Sequence, residues 1–193
     1  MVESNGKSVE LAVFGGGCFW CTEAVFSMVK GIIAVTPGYT GGVVRRPTYE
    51  EVVTGKTGHV EAVRIQFNPS LITYDDLLTI FFNTHDPTTL NKQGADVGEH
   101  YRSVIFYADE EQKRKSENII RELTEAHAYD NRIVTEVLPL GEFYEAEDYH
   151  RKYYEQHKGA PYCELVIEPK LEKMRKRFAE LLNHTLLFFV LFL

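Results

Sequence analysis

Gly17-Cys18-Phe19-Trp20-Cys21 is the stretch of this sequence whose residue types and spacing best support chemistry. A thiolate is the reactive form of cysteine, and the unpaired N–H groups and positive dipole end at the start of a helix stabilise it. Cys18 has that placement: the apolar, β-compatible run Val9 to Phe14 ends in Gly15-Gly16-Gly17, which allows a sharp turn. Apolar residues then recur at Phe19, Ala24, Val25, Met28 and Val29 until Gly31, the pattern of a helix. Cys21 lies one helical turn beyond Cys18, close enough for a disulfide with modest adjustment. Three readings compete on spacing alone: two small buried hydrophobes, half of a zinc site, or a thiol redox centre. Zinc needs two further ligands, and Cys163 has neither a partner cysteine nor paired histidines beside it. A thioredoxin-like oxidoreductase fits the spacing, but Phe19 and Trp20 would bring two large rings to the mouth of the site, which points to a pocket for an apolar group.

The elements that must position these residues alternate between strand and helix. Ile32 to Tyr39 reads as a short strand running into Tyr39-Thr40-Gly41-Gly42, and Arg45 to Tyr49, with Pro47, as loop. His59 to Phe67 alternates as a half-buried strand that carries Glu61 on its apolar side, with His59 beside it. Tyr74 to Phe82 is a helix with Asp75 and Asp76 in its first turn, ended by His85-Asp86-Pro87. Thr88 to His100 is a polar loop that leads to a strand at Arg102 to Tyr107. A charged helix over Asp109 to His127, a strand over Ile133 to Leu140 and an aromatic-rich helix over Ala146 to His157 follow. Cys163 to Ile167 reads as a last strand closed by Pro169, with a helix from Leu171 to Leu182. This order predicts an α+β fold.

Composition bounds the class of function. With 193 residues, 44% hydrophobic and 25% charged, the chain has enough apolar surface for one buried core, and no shift in composition divides it. A net charge of −7 argues against a nucleic-acid partner, and the basic stretch Lys170 to Arg177, interrupted by Glu172, reads as a solvated helix face. The 3 cysteines, an odd number with no apolar secretory segment near Met1, point to a reducing compartment, the cytoplasm. Leu186 to Leu193 is wholly apolar but far shorter than the roughly 20 residues of a membrane span. It is expected to dock on the protein's own surface or on a partner. No dinucleotide fingerprint or metal set is present, and no Lys-Ser or Lys-Thr follows the triple glycine, so no bound cofactor is expected.

Seven short motifs, in order, carry a family resemblance. They are Gly-Cys-Phe-Trp at 17–20, Gly-Tyr-Thr-Gly-Gly at 38–42, Pro-Thr-Tyr-Glu at 47–50, Thr-Gly-His-Val-Glu at 57–61, His-Asp-Pro-Thr at 85–88, Tyr-Arg-Ser at 101–103 and Phe-Tyr-Glu-Ala-Glu at 143–147. From about Val9 to Cys163 the sequence resembles the peptide methionine sulfoxide reductases of the A type. The resemblance implies reduction of methionine S-sulfoxide, free or in proteins, as a repair of oxidative damage. Cys18 would be the nucleophile that attacks sulfur, and Glu61 the acid that protonates the departing oxygen. Tyr49 and Tyr101 would be hydroxyl donors to that oxygen, with Asp96 a polar residue near them, while Phe19 and Trp20 would enclose the substrate's methyl group. A carboxyl that desolvation keeps protonated suits the task, because the sulfoxide oxygen leaves poorly unless protonated. The expected architecture is a single domain with a mixed sheet and packed helices, a two-layer α/β sandwich with a ferredoxin-like plait core over about 9–182 and an apolar tail over 183–193.

Attack leaves a sulfenic acid on Cys18, which a second thiol condenses to a disulfide for a thioredoxin-type protein, or another external thiol, to open. Two departures from the commonest family pattern bear on that step: position 21 is cysteine instead of glycine, and Glu164 to Lys170 replaces a Gly-rich tail with a further cysteine. Cys163 matches the first resolving position and is slightly favoured, Cys21 is the alternative, and direct reduction by a small thiol is a third route. The enzyme is expected to act as a monomer. Two rivals remain at this level: a general disulfide oxidoreductase using Cys18 and Cys21, and a redox sensor in which oxidation of Cys18 exposes a surface such as the apolar tail.

Overall fold

The computed structural model describes residues 8–183, so the expectation for the tail from Leu186 lies outside the described residues. In chain order the elements are β1 (Glu10–Gly16), α1 (Phe19–Ser27), β2 (Ile32–Thr40), α2 (Tyr49–Val52), β3 (Val60–Phe67) and α3 (Tyr74–Thr84). Then come the hairpin of β4 (Lys92–Gln93) and β5 (Asp96–Val97), β6 (Ser103–Tyr107), α4 (Glu110–Glu125), β7 (Glu136–Pro139), β8 (Tyr144–Glu145), α5 (Tyr153–Gln156) and α6 (Glu168–Arg177).

The main sheet has the order β7-β6-β1-β3-β2-β8. Its centre, β6-β1-β3-β2, is antiparallel throughout. Because β1-α1-β2 and β3-α3-β6 are two crossover units interleaved in one sheet, this is the split βαβ plait expected above. Only β7 runs parallel to its neighbour, β6, reached through α4 as a parallel pairing requires. The main core lies between the sheet and the helices, where Phe14, Phe26, Ile65, Phe67, Leu77 and Phe81 are buried.

Several expectations are corrected. Gly15 and Gly16 are strand residues, not turn: a Cβ on Gly15 would lie 2.6 Å from Val60, and Gly17 alone, at φ +90°, makes the turn into α1. β3 is buried on both faces, not half-buried, because Val60 and Ala62 join Val13, Val104 and Phe106 in a second cluster capped by Leu138, Leu140 and Phe143. The polar stretch 88–100 contains the β4-β5 hairpin. The stretch read as loop ends in α2, which a capping box between Thr48 and Glu51 starts at Tyr49.

The largest differences fall after residue 140. Instead of one helix over Ala146 to His157, the chain after β8 forms a single turn at Asp148–His150, a left-handed Lys152 (φ 51°) and the four-residue α5. Acceptors elsewhere in the fold take the backbone there: Glu23 accepts from Lys152 N at 2.9 Å and Pro37 O from Ala146 N at 2.9 Å. Cys163–Ile167 is helical and runs straight into α6, and Pro169 opens that helix instead of closing a strand. Cys163, Ile167, Leu171 and Met174, all buried, form one stripe at helical spacing. That stripe outweighs the local β preference of Val166 and Ile167.

Candidate active site

Cys18 is the N-cap of α1 and Cys21 its third residue, the pair of positions that a capping box links, so their sulfurs face each other. Cys18 makes no side-chain cap hydrogen bond. Burial, with contributions from the neighbouring Cys21 and the Glu61 charge, pushes its thiol well above the usual range. This corrects the expectation that the helix start stabilises the Cys18 anion: the first-turn Phe19 N–H donates to Glu61 Oε2 at 3.1 Å instead. The anion of the pair is favoured on Cys21, whose thiol is brought down to about 7, first by the hydrogen bond from Cys18 and, against its burial, by the Lys170 and Tyr162 side chains. The resting centre is therefore a dithiol with one easily lost proton, its first charge on Cys21.

Glu61 lies opposite Tyr39 in the β2-β3 ladder and shares the parity of Val63, Ile65 and Phe67, which aims it at the start of α1. It is 1% exposed. Burial raises its carboxyl to about 8, and the single Phe19 N–H offsets only part of that penalty. At neutral pH the group therefore holds its proton. Tyr49, at the first turn of α2, and Tyr101, in the turn before β6, lie close enough for each phenol to influence the other. Burial raises both phenols, Tyr49 to about 12, and both sense Glu61 and Cys18. Both stay protonated as donors across the physiological range.

Asp96, on β5, accepts from the Tyr162 hydroxyl at 2.8 Å, and that hydroxyl lies 3.8 Å from Cys21 Sγ. The hairpin itself rests on the turn into α1: a Cβ on Gly17 would lie 2.5 Å from the Gln93 side chain. Phe19 is a core residue, 1% exposed, with its ring 4.9 Å from His150 and 5.9 Å from Tyr39. Trp20 is partly exposed, stacks on Tyr153 at 3.6 Å and 3°, and donates from Nε1 to His150 Nδ1 at 3.0 Å. Cys163 is fully buried in the helical turn before α6, and burial and the Cys21 charge raise its thiol.

The structure thus gathers Cys18, Cys21, Glu61, Tyr49, Tyr101, Asp96 and Trp20 around one locus, with Phe19 behind it and Cys163 beneath Cys21. Sequence reasoning missed four contributors: His150, which orients Trp20; Tyr153, which stacks on it; Tyr162, which links Asp96 to Cys21; and Glu147. The last accepts from Tyr39 Oη at 2.7 Å and Tyr49 N at 2.9 Å. All belong to the segment read as a regular helix or as the approach to a strand. The density of aromatics from Phe143 to Tyr162 was its visible signal. Among the described residues no group of three or more His, Cys, Asp or Glu side chains is arranged to hold a metal ion. No helix there is long and apolar enough to cross a membrane.

Residues 10–182 match the family model for peptide methionine sulfoxide reductase. A peptide methionine sulfoxide reductase MsrA of Sulfolobus acidocaldarius is 57% identical over 172 residues, 89% of this chain and 97% of the relative. Among solved structures, the methionine sulfoxide reductase A of Corynebacterium diphtheriae superposes with TM-score 0.71 at 35% identity, covering 79% of this chain and 76% of that one. Reduced Mxr1 of Saccharomyces cerevisiae gives TM-score 0.74 at 29% identity, over 84% of this chain and 92% of its own. Mxr1 has also been solved in complex with Trx2, a structure that at TM-score 0.53, 22% identity and coverage of 79% and 89% bears only on the fold. The plait, the dithiol at the start of α1 and the matched relatives agree: the chain belongs to the peptide methionine sulfoxide reductases of the A type, and is an oxidoreductase.

Proposed function

We propose that this enzyme reduces the S epimer of methionine sulfoxide, free or in proteins, with Cys18 as nucleophile and Glu61 as acid. The observation that carries the reading is a buried carboxyl, protonated at neutral pH, bonded to the first turn of the helix that Cys18 caps. The Cys18 sulfur attacks the sulfoxide sulfur while its proton passes to the adjacent Cys21 thiolate, the anion of the resting pair. Glu61 delivers its proton to the oxygen as the S–O bond lengthens, and the Tyr49 and Tyr101 hydroxyls donate hydrogen bonds to the same oxygen. The oxygen takes a second proton from solvent and departs as water, leaving Cys18 bonded to a sulfonium sulfur; water then attacks the Cys18 sulfur as that S–S bond breaks, so methionine leaves and Cys18 carries a sulfenic acid. Trp20, fixed by His150 and Tyr153, offers an apolar wall to the methyl group.

Of the two recycling candidates, Cys21 fits better than Cys163. Its sulfur already meets Cys18, whereas Cys163 is sealed in a helical turn whose stripe packs into the core. The resulting Cys18–Cys21 disulfide would be opened by a thioredoxin-type reductant, the class of partner in complex with which Mxr1, 29% identical to this chain in its reduced form, has been solved. All the named groups come from one chain, which supports action as a monomer, and the three free thiols suit a reducing compartment such as the cytoplasm.

The test is turnover of separated S and R epimers of a methionine sulfoxide peptide with a thioredoxin system, by wild type and Cys18→Ser, Cys21→Ser and Cys163→Ser. Turnover of the S epimer alone, lost in Cys18→Ser, with a Cys18–Cys21 bridge after one turnover, is the expected result. Turnover of both epimers, or full activity in Cys18→Ser, overturns the reading.

A further inference from the structure

A cavity of about 10 Å³, too small for more than a single water, lies against Cys21 and is lined also by Thr22, Phe81, His85 and Lys170. These side chains thus border one small space beside Cys21. His85 is committed: Nδ1 lies 2.7 Å from Phe81 O and Nε2 2.7 Å from Ser103 Oγ. Burial, with a contribution from the Lys170 charge, brings its ring down to about 4 and keeps it neutral. Lys170 is thus the one cation on this cavity, and among the described residues no carboxylate pairs with it within ion-pair distance.

We propose that Lys170 is a positioning residue for the recycling step, its ammonium group holding the Cys21 sulfur as the anion that attacks the Cys18 sulfenic acid. The proposal rests on the reading of Cys21 as the resolving thiol. In the resting enzyme the strongest support for a charge on Cys21 is the Cys18 thiol. That S–H is gone once Cys18 carries oxygen, which is the moment the anion is needed, and the sulfenic hydroxyl that replaces it sits on the leaving oxygen. The charged and titratable groups that then face Cys21 are Asp96 from β5, Glu61 from β3, Tyr162 and Cys163 from the turn before α6, His85 after α3, and Lys170 from α6. Asp96 and Glu61 oppose a further negative charge, and Tyr162, which also lowers Cys21 but is bonded to Asp96 at 2.8 Å, brings no positive charge of its own. Lys170 is the positive group left. It also lies at the end of the stretch, Glu164 to Lys170, that stands here in place of a cysteine-bearing tail.

In the step itself the Cys21 sulfur attacks the Cys18 sulfur. The S–S bond forms as the S–O bond breaks, the sulfenic sulfur is reduced as Cys21 is oxidised, and the oxygen leaves as hydroxide, which solvent protonates to water. No outside oxidant is needed.

The experiment mixes reduced full-length protein with one equivalent of a methionine S-sulfoxide peptide, without reductant, in wild type, Lys170→Met and Lys170→Arg between pH 6 and 9. Cys18 sulfenic acid trapped with dimedone and each disulfide are quantified by peptide mass spectrometry at equal methionine formed. Loss of the cation is expected to slow bridge formation about tenfold near pH 7, the effect of about one unit in the thiol's acidity, and to let the sulfenic acid accumulate. The rate should recover at high pH, and Lys170→Arg should behave as wild type. A Lys170→Met bridge rate and pH profile equal to wild type, with the Cys18–Cys21 bridge still formed, overturns the role of Lys170 alone. A wild-type bridge from Cys18 to Cys163 overturns the Cys21 reading and the proposal with it.

Discussion

The two sides of the site hold their residues by different means. On the sheet side Cys18 and Glu61 hang from the central ladder: Gly16 pairs with Ser103, and Glu61 with Tyr39, in strands hydrogen-bonded on both edges. On the other side, the segment from Tyr144 to Tyr162 contains little regular structure, and single side-chain contacts tie it down: Glu147 to Tyr39 and Tyr49, Glu23 to Lys152, His150 to Trp20, and Tyr162 to Asp96. A ladder fails only cooperatively, whereas a single hydrogen bond can be removed by one substitution. The reacting groups are thus placed by the most stable part of the fold, and the enclosing groups by contacts that can be altered separately.

That contrast is open to attack, beginning with its strongest consequence. Glu61→Gln keeps the ladder and the Phe19 contact but loses the proton, so kcat should fall about 10²–10⁴-fold with KM little changed. The wild-type rate should decline as pH rises through about 8, where the Glu61 carboxyl ionises, and the Gln variant should lose that limb; a retained limb assigns it to another group. Stability runs with the same sign. A carboxyl whose folded pKa is about 8 against an ordinary 4.5 binds more protons folded than unfolded between those values, so it costs stability as pH rises through that window and the cost is complete above it. Glu61→Gln should therefore be more stable than wild type above pH 8 in urea melts, despite its lost activity.

Next is Glu147→Ala, which strands the buried Tyr39 hydroxyl and frees the start of α2. It should cost about 1–3 kcal/mol of stability and lower kcat as well as raise KM, since Tyr49, a donor to the departing oxygen, loses its anchor while the groups around it loosen. An effect on kcat alone would contradict the division between the two sides.

The smallest expected effect is that of Glu23→Ala. Glu23, 3% exposed and raised to about 7 by its burial, accepts the Lys152 N–H that positions Tyr153 on Trp20. Trp20 is the only tryptophan in the chain, so its emission reads the stack directly. The variant should shift that emission and raise KM a few-fold, while Glu23→Gln, which keeps an acceptor, should leave both near wild type. Unchanged emission in Glu23→Ala would show that the stack does not depend on this contact.

Much of the chemistry was legible locally. A strand ending in glycines before Cys18, a helix repeat after it, and the alternation that puts Glu61 on the helix-facing parity of β3 are short-range patterns, and backbone sterics enforce them wherever the chain goes. The α-helix of Glu110–Glu125 and the capped start of α3 were legible for the same reason. The largest misreading has a long-range cause. Between residues 144 and 157 key backbone partners come from distant parts of the chain, Glu23 for the Lys152 N–H and Pro37 O for the Ala146 N–H, so local propensity loses its authority there. The Cys163, Ile167, Leu171, Met174 stripe was present in the sequence, but it spans the boundary that Pro169 suggested and so went unread.

What the sequence by itself determined is therefore which residues carry reactive groups, and that Cys18 caps a helix beside a second thiol. What only the tertiary structure decided is the charge state of those groups. Burial against the sheet raises Glu61 and Cys18, while Cys18, Lys170 and Tyr162 together lower Cys21. Acidity depends on desolvation and on charges from several elements at once, and no spacing along a single chain encodes that sum.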